Sequence, residues 1–178
     1  PRCLVAHITM HSHDDVVWLL TPEEYSDGCK APGGGTISIF TTMMEALADN
    51  PERKFSEVEM YFFNRWWVMQ NETMKESTRR AVKSKQLEFI NAGWSMHDEA
   101  CVHQESAISN MEVGNQFLRN IFGETMNVTV GWHIDPFGHA STTPRIMAQM
   151  GFNGFFFQRQ DYQQRQYMMD TKQVETMW

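Results

Sequence analysis

The feature that most constrains the fold of this 178-residue chain is a regular alternation of short apolar, β-branched runs with longer amphipathic ones. Strand-type runs are read at Cys3 to Thr9, Lys54 to Met60, Leu87 to Asn91, Val128 to Ile134 and Phe152 to Phe157. Between them, apolar residues recur at three- and four-residue spacing, as in Ile39, Phe40, Met43, Met44 and Leu47, which predicts a helix from about Ile37 to Ala48. Helices are also expected around the aromatic stripe Phe62, Phe63, Trp66 and Trp67, from Lys75 to Lys85 behind Asn71, from Ile108 to Phe122 before Gly123, and from Thr143 to Met150. Strands that alternate with helices form parallel sheets with the helices outside. The expected class is α/β, a parallel β/α barrel-like domain. Five strands are too few to close an ordinary eight-stranded barrel, so residues 1 to 178 are read as an incomplete part of the α/β domain of a longer chain.

Composition enters by exclusion. A formal charge of -7 argues against a phosphate-binding surface, and Arg79, Arg80, Lys83 and Lys85 read as a solvated helix face, so no nucleic-acid partner is expected. No apolar run reaches the roughly 18 residues of a membrane span. Cys3, Cys29 and Cys101 lack metal-type spacing and cannot all pair with one another. The triplets Asn71-Glu72-Thr73 and Asn127-Val128-Thr129 are glycosylation acceptors, which favours a secretory or lysosomal chain. The segment from Gly28 to Thr36 (GCKAPGGGT) is expected to be a flexible connection.

Parallel α/β folds place their chemistry at the carboxyl ends of the strands. At those positions this sequence has His11, His13, Asp14 and Asp15, then His97, Asp98 and Glu99, then Asp135 and His139, then Arg159 and Asp161. Residues two apart on an extended segment face the same way, so His13 and Asp15 can converge on one cation, and Asp135 is the best third ligand. Mixed nitrogen and oxygen donors suit Zn²⁺. Beside these, His11 reads as a group orienting a ligand, Asp14 as a cap or turn residue, and His7 as a core histidine.

Four segments in order, HSHDDVVW at residues 11 to 18, FFNRWW at 62 to 67, GWSMHDEA at 93 to 100 and WHIDPFGHA at 132 to 140, resemble the family 38 glycoside hydrolases, in particular their lysosomal-type α-mannosidase branch. AQMGFNGFFFQRQDYQ at 148 to 163 is also similar to that branch. The resemblance implies a retaining, zinc-dependent α-mannosidase acting on mannose-containing oligosaccharides, in the lysosome or another secretory compartment. It implies His13 and Asp15 as zinc ligands, Asp135 as both zinc ligand and nucleophile, Trp18 as a platform for the mannose ring, and Arg159 as the group that steadies Asp135. It further implies that a last zinc histidine and the acid/base aspartate come from the remainder of the chain, so that this segment alone would be inactive. Val17 departs from a position usually occupied by glycine, and the glycine-rich stretch after Asp27 replaces more helical sequence. Two other readings share these residues: a metal-dependent polysaccharide deacetylase and an inactive carbohydrate-binding relative. Asp135 within WHIDPFG distinguishes the first, and retention of all three ligands in this segment speaks against the second.

Overall fold

A computed structural model describes residues 5–30, 34–175 and 177 of the chain. Seven helices and four strands alternate in it: α1 (Pro22–Asp27), α2 (Thr36–Asp49), β1 (Phe55–Glu59), α3 (Met60–Met69), α4 (Glu72–Lys83), β2 (Leu87–Gly93), α5 (Gln104–Phe122), β3 (Val130–His133), α6 (Thr142–Gln149), β4 (Gly154–Phe157) and α7 (Tyr162–Asp170). β1 pairs with β2 and β3 with β4, both in parallel, as the strand-helix alternation requires.

The expected barrel-like wall is not continuous among the described residues. They form two separate two-stranded sheets, and the reason lies in β2. Asn91 and Ala92 adopt left-handed backbone angles, φ 58° and 55°, which turn their peptide groups away from the ladder. The Asn91 side chain then takes over the backbone's role, its Oδ1 accepting the Trp132 N–H at 3.2 Å. The two sheets therefore abut through a side chain.

The first expected strand is also absent in ladder form. Its described part, from Val5, runs exposed to Met10, whose carbonyl accepts from the Ser56 N–H, and it meets β1 only in an isolated bridge between His11 and Ser56. His7 is exposed, not a core histidine. Cys3 lies outside the described residues, whereas Cys29 and Cys101 are free and exposed.

The core forms where helices cover β1 and β2. Phe40, Met44, Phe62, Phe63, Trp66, Leu87, Met111 and Leu118 are buried in one cluster, so the aromatic stripe of α3 is packing, as its spacing predicts. Trp66 satisfies its indole N–H on Thr41 Oγ1 at 3.1 Å. α5 lies so close on β2 that a Cβ at Gly114 would stand 2.1 Å from the Ala92 carbonyl oxygen. The basic cluster of α4 is a surface face: Arg79 lies over the Trp67 ring and pairs with Glu72 and Glu76. α1 has no counterpart in the sequence reading, although Thr21-Pro22-Glu23-Glu24 encodes it through a capping box and a proline in the first turn. Gly28 caps its end at φ 74°, so the connection expected to be flexible begins as a defined helix stop. No helix among the described residues is long and apolar enough to cross a membrane.

Candidate active site

Strand direction carries the ionisable residues to one end of the sheets. His13 and Asp15 follow the bridge of the first segment to β1, Asp135 lies two residues after β3, and Arg159 two residues after β4. The four side chains meet. His13 Nε2 lies 3.3 Å from Asp15 Oδ1 and 3.3 Å from Asp135 Oδ2, and one donor atom from each residue falls within 4.8 Å of the others. Arg159 pairs with the other oxygen of the same carboxylate, Asp135 Oδ1. Asp135 thus divides its two oxygens between a cluster of potential ligands and a guanidinium. Its side chain is still 35% exposed, which leaves it approachable from solvent.

Two of the three spacings among these residues suit a tetrahedral cation such as zinc. Tetrahedral coordination at bond lengths of about 2.0–2.1 Å separates neighbouring donor atoms by about 3.3 Å. Both of the separations from His13 Nε2 match that edge length, and they are longer than normal hydrogen bonds. One nitrogen and two oxygens supply three of the four donors that such an ion takes.

Trp18, three residues after Asp15, is 70% exposed between the equally exposed Val17 and Leu19 and is not part of the buried core. Asp14 is not a cap or turn residue. It is buried, accepts a hydrogen bond from Ser12 Oγ at 2.8 Å, and has a donor oxygen within 4.8 Å of one from each of Glu57 and Glu59. Burial, reinforced for Glu57 and Glu59 by the charge of Asp14, raises the pKa of all three, so they favour the protonated form. Glu57 and Glu59 were missed by strand patterning. Two carboxylates at alternate positions of a short strand-type run, flanking Val58, are the sequence signal for them, and the structure buries all three residues.

His11 sets its ring edge-on to Trp132 at 5.0 Å and so packs against β3 beside the cluster. Behind β3 lies a second polar assembly. Glu99 Oε1 accepts from His133 Nδ1 at 2.7 Å and His139 Nδ1 at 3.0 Å, and Oε2 accepts the Ala140 N–H at 2.8 Å. Burial pushes the Glu99 carboxyl up, but the bonds from His133, Ala140 and His139 together hold it down at about 2. His97, next to His133 with ring centroids 4.7 Å apart, is pushed down to about 4 by burial and by that neighbour. Asp98 caps the turn that follows, accepting the Ala100 N–H. Asp161 caps α7 by accepting from the N–H groups of Gln163 and Gln164 and stands apart from the cluster.

The arrangement sets a cation-type cluster and a shared carboxylate beyond the carboxyl ends of parallel strands, where α/β folds carry their sites. Residues 4–178 match the glycosyl hydrolases family 38 N-terminal domain, and the chain belongs to that family. It is similar to lysosomal alpha-mannosidase of Dictyostelium discoideum, 45% identical over 98% of this chain and 17% of the relative. Lysosomal alpha-mannosidase of Homo sapiens is 41% identical over 100% of this chain and 18% of that protein. Among solved structures, an alpha-mannosidase from Enterococcus faecalis V583 superposes with a TM-score of 0.69 at 21% identity, covering 84% of this chain and 16% of that one. The chain therefore spans less than a fifth of the length of these relatives.

Proposed function

We propose that this chain is the nucleophile-bearing part of a retaining, zinc-dependent α-mannosidase that removes α-linked mannose from glycans in a lysosomal or related secretory compartment. The observation that carries the reading is the division of Asp135 between His13 and Arg159. One carboxylate faces partners from two separate segments, one before β1 and one after β4, yet remains partly open to solvent. His13, Asp15 and Asp135 would hold the zinc ion. A zinc ion held there would supply Lewis-acid binding of sugar hydroxyls. Trp18 offers its flat face to the apolar side of the mannose ring. Asp135 attacks the anomeric carbon and forms an ester, while the glycosidic oxygen leaves with a proton from a second carboxyl group of the full-length protein. Arg159 orients the attacking carboxylate through its ion pair with Oδ1. Placement of this kind can lower a barrier by about 7–11 kcal/mol.

Family membership favours a glycosidase over a deacetylase, and the convergence of His13, Asp15 and Asp135 speaks against an inactive relative. Treatment of the full-length enzyme with a 5-fluoro mannosyl inactivator, followed by peptide mapping, is expected to place the label on Asp135. A label on a different carboxylate, or a product of inverted configuration by NMR, rejects the assignment.

A further inference from the structure

Asp135 stands on a segment with little packing of its own. Between Ile134 and Ala140, Phe137 is 79% exposed and Gly138 has φ 141°, leaving Pro136 as the buried apolar residue. Its partner Arg159 is equally unsupported, with a side chain 53% exposed and a backbone at φ 68°. An exposed ion pair is worth about 0–1 kcal/mol and does not hold two such loops in register.

What does hold them is the assembly behind β3. Glu99 grips the Asp135 segment at both ends, through His133 before it and through His139 and the Ala140 N–H after it. His139 extends the grip to the next strand, its Nε2 donating to the Gln158 carbonyl at 2.6 Å. The Gln158 N–H in turn donates to the His133 carbonyl at 3.1 Å. Gln158 immediately precedes Arg159, so the hydrogen bonds form a closed circuit from Glu99 through His139 and Gln158 to His133. Asp135 and Arg159 both hang from it. His139 sets one ring nitrogen against a carboxylate and the other against a carbonyl, so a single ring bridges the two loops. The Glu99 carboxylate makes the bonds at the buried centre of the circuit charge-assisted, and such bonds are strong and stiff.

We propose that Glu99 and His139 are positioning residues that lock the Asp135 and Arg159 loops together. This rests on the reading of Asp135 as the attacking carboxylate. Neither residue touches the sugar; each acts by fixing where the Asp135 oxygen stands. A displacement of about 1 Å at a reacting atom can cost about a hundredfold in rate.

The test compares full-length wild type with Glu99→Gln, His139→Gln and the double variant. Four readouts are taken: kcat and KM on an α-mannoside, the rate at which a 5-fluoro mannosyl inactivator labels Asp135, metal content, and Tm. In His139→Gln, kcat and labelling rate are expected to fall together by about tenfold to a hundredfold, with KM and metal content unchanged and a fall in Tm too small to unfold the enzyme at the assay temperature. The double variant should be no worse than the worse single, because breaking either link opens the same circuit. Glu99 is buried, so if Glu99→Gln does not fold, the partly exposed His139 decides the matter. Wild-type kcat and labelling in His139→Gln overturn the proposal, as does a loss of metal or of Tm that accounts for the fall in rate. Labelling of the wild type at another carboxylate is a different result: it removes the Asp135 reading on which the proposal stands.

Discussion

At the scale of single residues, three carboxyls and one imidazole are held far from their ordinary protonation, and their signs differ. His97 is pushed down to about 4, so between about 4 and its ordinary 6.5 the unfolded chain binds more protons than the folded one. Its contribution to stability is complete above pH 6.5 and is lost as the pH falls toward 4. Glu99, held at about 2, adds stability above its ordinary value of 4.5 that is lost as the pH falls from there toward 2. Glu57 and Glu59 work in the opposite direction. Their raised pKa values mean that at neutral pH the folded state must either retain protons or bury charge, a penalty that fades in acid. Glu59→Gln, which imitates the protonated acid, should therefore raise Tm at pH 7 by more than it does at pH 5, as read by thermal melts at the two values. Equal shifts would show that the carboxyl is ionised in the fold. Trp18 gives a simpler contrast. With 70% of its surface exposed, Trp18→Ala should leave Tm unchanged and weaken binding of a mannose-like inhibitor measured by calorimetry. A fall in Tm with intact affinity would make it a packing residue.

Among the elements, α5 packs closely on β2, and Glu99 lies on the connection between them. Gly114 permits that packing, since a Cβ there would meet the Ala92 carbonyl oxygen, the Gly93 carbonyl carbon and the Trp94 nitrogen at 2.1 to 2.9 Å. These are backbone atoms and cannot rotate aside. Gly114→Ala should cost at least the roughly 1–3 kcal/mol typical of overpacking, measured by denaturant unfolding. By contrast α4 is tied down by a cap that is easily removed. Asn71 accepts the Met74 N–H at 2.9 Å, and Asn71→Ala should cost about 1 kcal/mol in the same experiment. The strands of this fold were legible where they are buried on both faces or alternate clearly, as in β1 and β2. The first segment was not, because its apolar residues imitate a strand while the described part makes its ladder contact at a single residue, His11.

Across the whole molecule, the cluster of His13, Asp15 and Asp135 joins segments more than a hundred residues apart, so a bound cation would act as a cross-link between them. Removing metal from the full-length protein should lower Tm, and His13→Ala should abolish that difference along with metal binding, as followed by calorimetry and elemental analysis. An unchanged Tm on chelation would show that the cluster is organised without an ion. The sequence by itself determined the α/β class, the parallel direction of the strands and the set of His13, Asp15, Asp135 and Arg159 as candidates, and the family resemblance added Trp18. The sequence could do so because side-chain periodicity is local and because parallel strands deliver their carboxyl ends to one side. Only the tertiary structure decided that Asp135 splits its oxygens between His13 and Arg159, that Asp14 turns inward to Glu57 and Glu59, and that Glu99 ties His133 to His139. Those pairings depend on the register between strands and on the left-handed turn at Asn91 and Ala92, which no local pattern of residues encodes.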